Sequence, residues 1–157
     1  MPPPVQRLPS FNKDRIEDST ATQANNGLHF AYPAIAVNQN NDMLIGYTRF
    51  SASASPTAAY SFRARGDPLG TTRGDQTLKS GLGYYEKTFS GTVNRWGDYS
   101  VSVVDPTNDT DLWTEQEYAD ASVGTGNGSG RWGTWWGQIV INKADQTITF
   151  GPLSNRT

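Results

Sequence analysis

Cysteine is absent from the chain. Without a thiol there is no disulfide framework, no thiolate metal site and no cysteine nucleophile. Histidine occurs once, at His29. A site needing two imidazoles from one chain is therefore excluded, and a multi-histidine zinc or copper centre would need several copies. No apolar run approaches the ~20 residues of a membrane span. The opening Met1-Pro2-Pro3-Pro4 has neither the charged nor the apolar region of a signal peptide, so none is expected here, and it reads as a truncation or a linker joint. An excess of positive charge is lacking too: 13 Lys and Arg stand against 15 Asp and Glu, a formal net charge of −2. That balance argues against nucleic-acid and anionic-membrane partners, which need a basic face. Apolar residues make up only 35% of the sequence, less than in an ordinary globular domain.

Large rings are present in compensation: 5 Trp, 7 Tyr and 6 Phe among 157 residues. They must supply much of the buried surface. Residues 1–27 are polar and without sustained period, so they read as an arm, with at most a short helix around 14–18. Beyond them the pattern is strand-like. Strands are expected over Tyr32–Val37, Met43–Phe50, Ala58–Ala64 and Gln76–Lys79, then over Tyr99–Val104, Leu112–Tyr118, Trp132–Ile141 and Gln146–Phe150. Asn38–Asp42, Asp105–Asp109 and Asn142–Asp145 are turns by composition. The two halves overlay: Tyr32–Val37 followed by Asn38 matches Tyr99–Val104 followed by Asp105, an offset of 67 residues. Two units of four antiparallel strands are the signature of β-propeller blades. The expected fold is all-β, with blade 1 over 28–80 and blade 2 over 81–157. An eight-stranded sandwich is the ordinary rival.

Particular runs carry a family likeness. Tyr32-Pro33-Ala34-Ile35-Ala36-Val37-Asn38, Ile45-Gly46-Tyr47 and Asn94-Arg95-Trp96-Gly97-Asp98-Tyr99-Ser100 are the first. Val104-Asp105-Pro106, Leu112-Trp113-Thr114, Gln116-Glu117-Tyr118-Ala119 and Arg131-Trp132-Gly133-Thr134-Trp135 extend it. Over residues 28–141 the chain resembles the C-terminal part of bacterial sialidase-like (BNR-type) β-propeller proteins. The resemblance implies radially arranged four-stranded blades, about two of them on this chain, and a secreted or cell-surface bacterial setting. No Asp is followed two positions later by Gly, so the Asp-box of that family is missing. The sialidase arginine triad and Tyr/Glu couple are not carried over.

Asp98 stands at the mouth of the first strand of blade 2. First strands line a propeller's central channel, where sites commonly sit. Asp98 is thus a candidate catalytic or metal-binding carboxylate, its rival role being that of a turn Asp bonding backbone N–H groups. His29 aligns with Trp96 in the overlay and falls at the same rim, as a base or a metal ligand or as a structural histidine. Arg95 and Tyr99 flank Asp98 and suit stabilisation of a developing anion. Glu115 and Glu117 share a strand face with Trp113, the two carboxylates ~6.5–7 Å apart by strand rise. Carboxylates beside a Trp platform can take a sugar; the bland alternative is a solvated strand face. Asp105, Asn108, Asp109 and Asp111 make an oxygen-rich turn, fit either for calcium or for Asx-turn bonding. Arg65-Gly66-Asp67 and Arg73-Gly74-Asp75 spell an integrin tripeptide, and Asn108, Asn127 and Asn155 open glycosylation sequons. Trp132, Trp135 and Trp136 form an aromatic cluster for packing between blades or stacking sugars.

The expectation that results is a hydrolase of an ester, phosphoester or glycoside, with its site in the central channel of an oligomeric propeller. Asp98, His29, Arg95 and Tyr99 are its catalytic residues, and Trp113, Glu115 and Glu117 bind the substrate. Asp98 and His29 would hold a divalent cation (calcium, zinc or manganese), and no organic cofactor is expected. The alternative is a non-catalytic carbohydrate-binding or adhesion module. The expected partners are a small molecule or carbohydrate and further copies of the chain: the expected assembly is a homotrimer, in which three copies give six blades, and the alternative is four copies giving eight.

Overall fold

The computed structural model describes residues 15–22, 27–141 and 148–151. Eight strands follow one another: β1 (His29–Val37), β2 (Met43–Phe50), β3 (Thr57–Arg63), β4 (Arg73–Lys79), β5 (Val101–Val104), β6 (Leu112–Asp120), β7 (Arg131–Ile141) and β8 (Ile148–Gly151). They form two antiparallel sheets, in orders β1-β2-β3-β4 and β5-β6-β7-β8. There is no helix among the described residues, so the all-β expectation holds. The helix around 14–18 does not form over residues 15–18. Asp18 instead organises a turn, accepting from the Thr20 N–H at 2.9 Å and from the Leu28 N–H at 3.1 Å. An Asp side chain that bonds backbone two residues on favours such a turn over a helix. The expected turn at Asn142–Asp145 lies outside the described residues.

Strand ends shift where tertiary partners take over from pattern. β1 begins at His29 rather than Tyr32, and its pairing with β2 slips between Ala31 and Ala34, where Tyr32 takes a φ of 58°. The bulge lets Ala31 and Ala34 both face Thr48 and Gly46. β4 begins at Arg73 rather than Gln76; Arg73 stands opposite Phe62 in the ladder and is clamped by Asp67 at 2.9 Å. β5 begins at Val101 rather than Tyr99.

The sheets lie face to face with strands in corresponding positions: β1 against β5, β2 and β3 against β6, β4 against β7. Period-2 alternation decides what meets. Ala36, Leu44, Tyr60 and Phe62 from the first sheet close on Leu112 and Ile139 from the second, all buried. Burial of each large apolar side chain is worth about 1.5–3 kcal/mol. Gly46 permits the closest approach, because a Cβ there would run into the Gln116 and Thr114 side chains.

The internal repeat is visible in the hydrogen bonds. The Asn38 N–H donates to the Asp42 carbonyl at 3.0 Å, and the Asp105 N–H to the Asp111 carbonyl at 2.8 Å, closing equivalent turns between first and second strands. The first strands then run side by side, with Ser100 Oγ on the Tyr32 carbonyl at 2.8 Å and Ser102 Oγ on the Ala34 carbonyl at 3.2 Å. Alternation leaves two apolar faces pointing outward. Ile35 and Val37 lie on the first sheet, and Val101, Val103, Trp132, Trp136 and Val140 on the second.

Candidate functional site

Residues 80–100 join the sheets without regular structure, and the chain spends many side chains on fixing them. The Leu82 N–H donates to the Ala119 carbonyl at 2.7 Å. Asn94 pins the loop to itself, accepting from the Lys87 N–H at 2.7 Å and donating to the Tyr85 carbonyl at 3.3 Å. Asn127 clips it from the 121–130 loop, accepting from the Thr88 N–H at 3.0 Å. At its far end Trp96 Nε1 donates to Thr48 Oγ1 at 3.2 Å, and the Trp96 ring meets Tyr85 edge-on at 4.7 Å.

Gly97 turns the chain into β5 with a φ of 95°, a left-handed value that favours glycine. A Cβ at this position would enter the Tyr32 ring. The turn aims the Gly97 N–H at the Glu117 carboxylate, at 2.6 Å.

Against the outward face of the second sheet this loop walls a cavity of about 230 Å³, lined by Tyr85, Phe89, Arg95, Trp96, Asp98, Tyr99, Glu117 and Trp132. Tyr99 and Trp132 stack at 4.7 Å with planes 22° apart, which makes one flat wall. Glu117 is buried, with 4% of its surface exposed. Burial pushes its carboxyl above the ordinary glutamate value; the Gly97 N–H opposes the shift and the charge of Asp98 adds to it. Asp98 is exposed, with Arg95 at 3.8 Å. One desolvated and one solvated carboxyl on an aromatic-walled cavity can give and take protons at a bound, water-poor substrate.

The structure brings Asp98, Arg95, Tyr99 and Glu117 together. His29 does not line the cavity; it begins β1, exposed. Trp113 donates from Nε1 to Asp105 at 2.9 Å, and neither it nor Glu115 lines the cavity. The solvated-face alternative is overturned for Glu117, because the Gly97 turn covers it. Tyr85, Phe89 and Trp96 were not singled out by sequence for this site. The signal available was the succession of rings through residues 84–99, and the folding-back of the loop is a tertiary fact.

The oxygen-rich turn is satisfied internally. Asp105 accepts from the Thr107 N–H at 2.9 Å and Asn108 from the N–H groups of Thr110 and Asp111 at 2.9 and 3.0 Å. The Thr107 hydroxyl, then the Thr107 N–H and the Trp113 Nε1, hold the Asp105 carboxyl below its usual value. Among the described residues no three His, Asp or Glu side chains come together to hold a metal ion. Both RGD aspartates are engaged, Asp67 by Arg73 and Asp75 by Arg49 and Tyr47. Of the sequons, Asn127 is committed to the loop clip and Asn155 lies outside the described residues. Comparison with protein-family models, with curated proteins and with solved structures finds no match for this chain.

Proposed function

We propose that the chain is a glycoside hydrolase subunit whose site is the cavity under the 80–100 loop. The observation that carries this reading is the pairing of a buried Glu117 with an exposed Asp98 on one cavity walled by stacked rings. The Tyr99–Trp132 surface suits the apolar face of a pyranose. Among the described residues Arg95 is the one cationic side chain lining the cavity, too few for a phosphoester, so the glycoside is favoured over the ester and phosphoester. Glu117 holds its proton, keeps one oxygen on the Gly97 N–H, and passes the proton to the leaving oxygen. Asp98 works as base toward water or as nucleophile; the two are distinguished by the stereochemistry of the product. A calcium, zinc or manganese ion would find one oxygen ligand in Asp98 and would draw the others from neighbouring copies.

The second part of the reading is assembly. Each sheet carries an exposed apolar face, and the two faces point away from each other. Soluble proteins cover such faces, and head-to-tail contact of unlike faces closes into a ring when the rotation fits. Three copies give a six-bladed propeller, four an eight-bladed one, with the cavities ringing the axis.

The test is a panel of aryl glycosides with the wild type, Glu117→Gln and Asp98→Asn. Turnover is expected from the wild type and a loss of at least about 10²-fold from either variant, the scale of positioned acid–base catalysis. Saturable sugar binding without turnover in the wild type would make this a carbohydrate-binding module instead. No binding of any sugar overturns both.

A further inference from the structure

We propose that Thr48, on the first sheet, is the positioning residue that holds Glu117 in the cavity. This rests on the reading of Glu117 as the proton donor above. Thr48 lies on β2 and is buried. Its hydroxyl makes two bonds. It accepts from Trp96 Nε1 at 3.2 Å and donates to the Glu117 carbonyl at 3.3 Å. One hydroxyl can do both, because it carries one proton and two lone pairs. The residue after Trp96 is Gly97, whose N–H donates to the Glu117 carboxylate at 2.6 Å. The bonds therefore close a ring. It runs from Thr48 to the Glu117 main chain, out along that side chain to Gly97, and back through Trp96 to Thr48. Glu117 is gripped at its main chain and at its carboxyl, and both grips trace to one oxygen.

The position itself does not ask for a hydroxyl. Thr48 stands in the ladder between Ala31 and Ala58, where valine has the same shape and suits a strand equally well. A buried hydroxyl is costly unless it is bonded, so the two bonds are what the threonine is for. Trp96 is well held to receive one of them, its ring edge-on to Tyr85 at 4.7 Å and to Phe50 at 6.0 Å. A proton donor serves only if it stays within about 0.5 Å of its working place. The 80–100 loop has no regular structure to supply that precision; its anchor on the first sheet is the Trp96–Thr48 bond. Without this bond the Gly97 turn loosens from Glu117, water reaches the carboxyl, and its proton affinity returns toward that of an ordinary glutamate. The ionisable groups around that carboxyl are Asp98, Arg95 and Tyr85 on the loop, Tyr99 before β5, and Glu115 on its own strand. Thr134, opposite it on β7, carries no charge. Substituting Thr48 changes none of these charges, so an altered Glu117 titration reports its position and cover.

The test compares Thr48→Val, Thr48→Ser and Trp96→Phe with the wild type, each with and without Glu117→Gln. Urea midpoints are followed from acid to neutral pH, and the difference within each pair reads Glu117 alone. In the wild type and in Thr48→Ser, Glu117→Gln is expected to raise the midpoint at neutral pH and not at acid pH. In Thr48→Val and Trp96→Phe that pH-dependent rise is expected to be lost. A threonine that merely supports the fold would lower the midpoint alike at every pH and keep the rise, and that result overturns the proposal. Should Thr48→Val fail to fold, Trp96→Phe carries the same test from the other side of the bond, at a half-buried position. On the aryl glycosides, Thr48→Val is expected to lower kcat at least about 10-fold with KM little changed, and Thr48→Ser to restore it; unchanged kcat in Thr48→Val also overturns the proposal. A wild type that turns over no glycoside removes the catalytic reading of Glu117, while the urea series still decides whether Thr48 holds it.

Discussion

Glu115 and Glu117 are two residues apart on one strand, yet only one of them lies on the cavity. Nothing local separates them. Glu117 is buried because Gly97, 20 residues earlier, folds back and donates to it. Sequence could nominate the pair and could not choose between its members. The raised carboxyl has a stability consequence. The folded state binds the Glu117 proton more tightly than the unfolded chain does, so this residue's contribution falls as pH rises from the ordinary glutamate value through the raised one. Glu117→Gln removes that slope. Urea midpoints of the variant are expected to match the wild type at acid pH and to exceed it at neutral pH. Gly97→Ala is expected to do the opposite at all pH values. It forces a left-handed φ on alanine and pushes a methyl into Tyr32, costing about 2–4 kcal/mol together. Equilibrium unfolding measures it, and a loss under about 0.5 kcal/mol would refute the tight turn.

Alternation along each strand decides which side chains form the core, and here sequence reads well. Met43–Phe50 was expected as a strand and is one to the residue. The 67-residue repeat anticipated two equivalent first turns, and the Asn38–Asp42 and Asp105–Asp111 bonds realise them. What pattern missed are ends set by distant partners: the bulge at Tyr32, the Arg73–Asp67 clamp at the start of β4, and β6 running on to Asp120 opposite Arg131. Leu112 and Val103 test the assignment of faces. Leu112 is fully buried between the sheets and Val103 is 44% exposed on the outside. Leu112→Ala should cost about 2–5 kcal/mol; Val103→Ala should cost under about 1 kcal/mol in the unassembled chain. Asn38 is the comparable polar case. Its amide donates to the Thr110 carbonyl at 2.6 Å and to Asp42 at 3.1 Å, tying the two turns together. Asn38→Ala should cost about 1–3 kcal/mol by stranding buried partners, again read by denaturant unfolding.

At the scale of the molecule, the proposed ring predicts a species of three or four times 17.2 kDa by light scattering. Ile35→Asp is expected to shift it to monomer, because a charge placed in an apolar contact stays unpaired there. Two units were readable in the sequence from composition and repeat. The number of copies in the proposed ring was not, because it would depend on an angle that no residue pattern encodes. That angle has a physical location. At Gly46 a Cβ would run into the Gln116 and Thr114 side chains, so in the proposed ring this contact helps set the angle between the sheets. A methyl at Gly46 would push the sheets apart there and change that angle. Any change per step would accumulate around the proposed circle, and a step that misses closure winds onward as a fibre. Gly46→Ala is therefore expected to alter curvature as well as stability, giving a closed circle of another size or open polymers under the electron microscope.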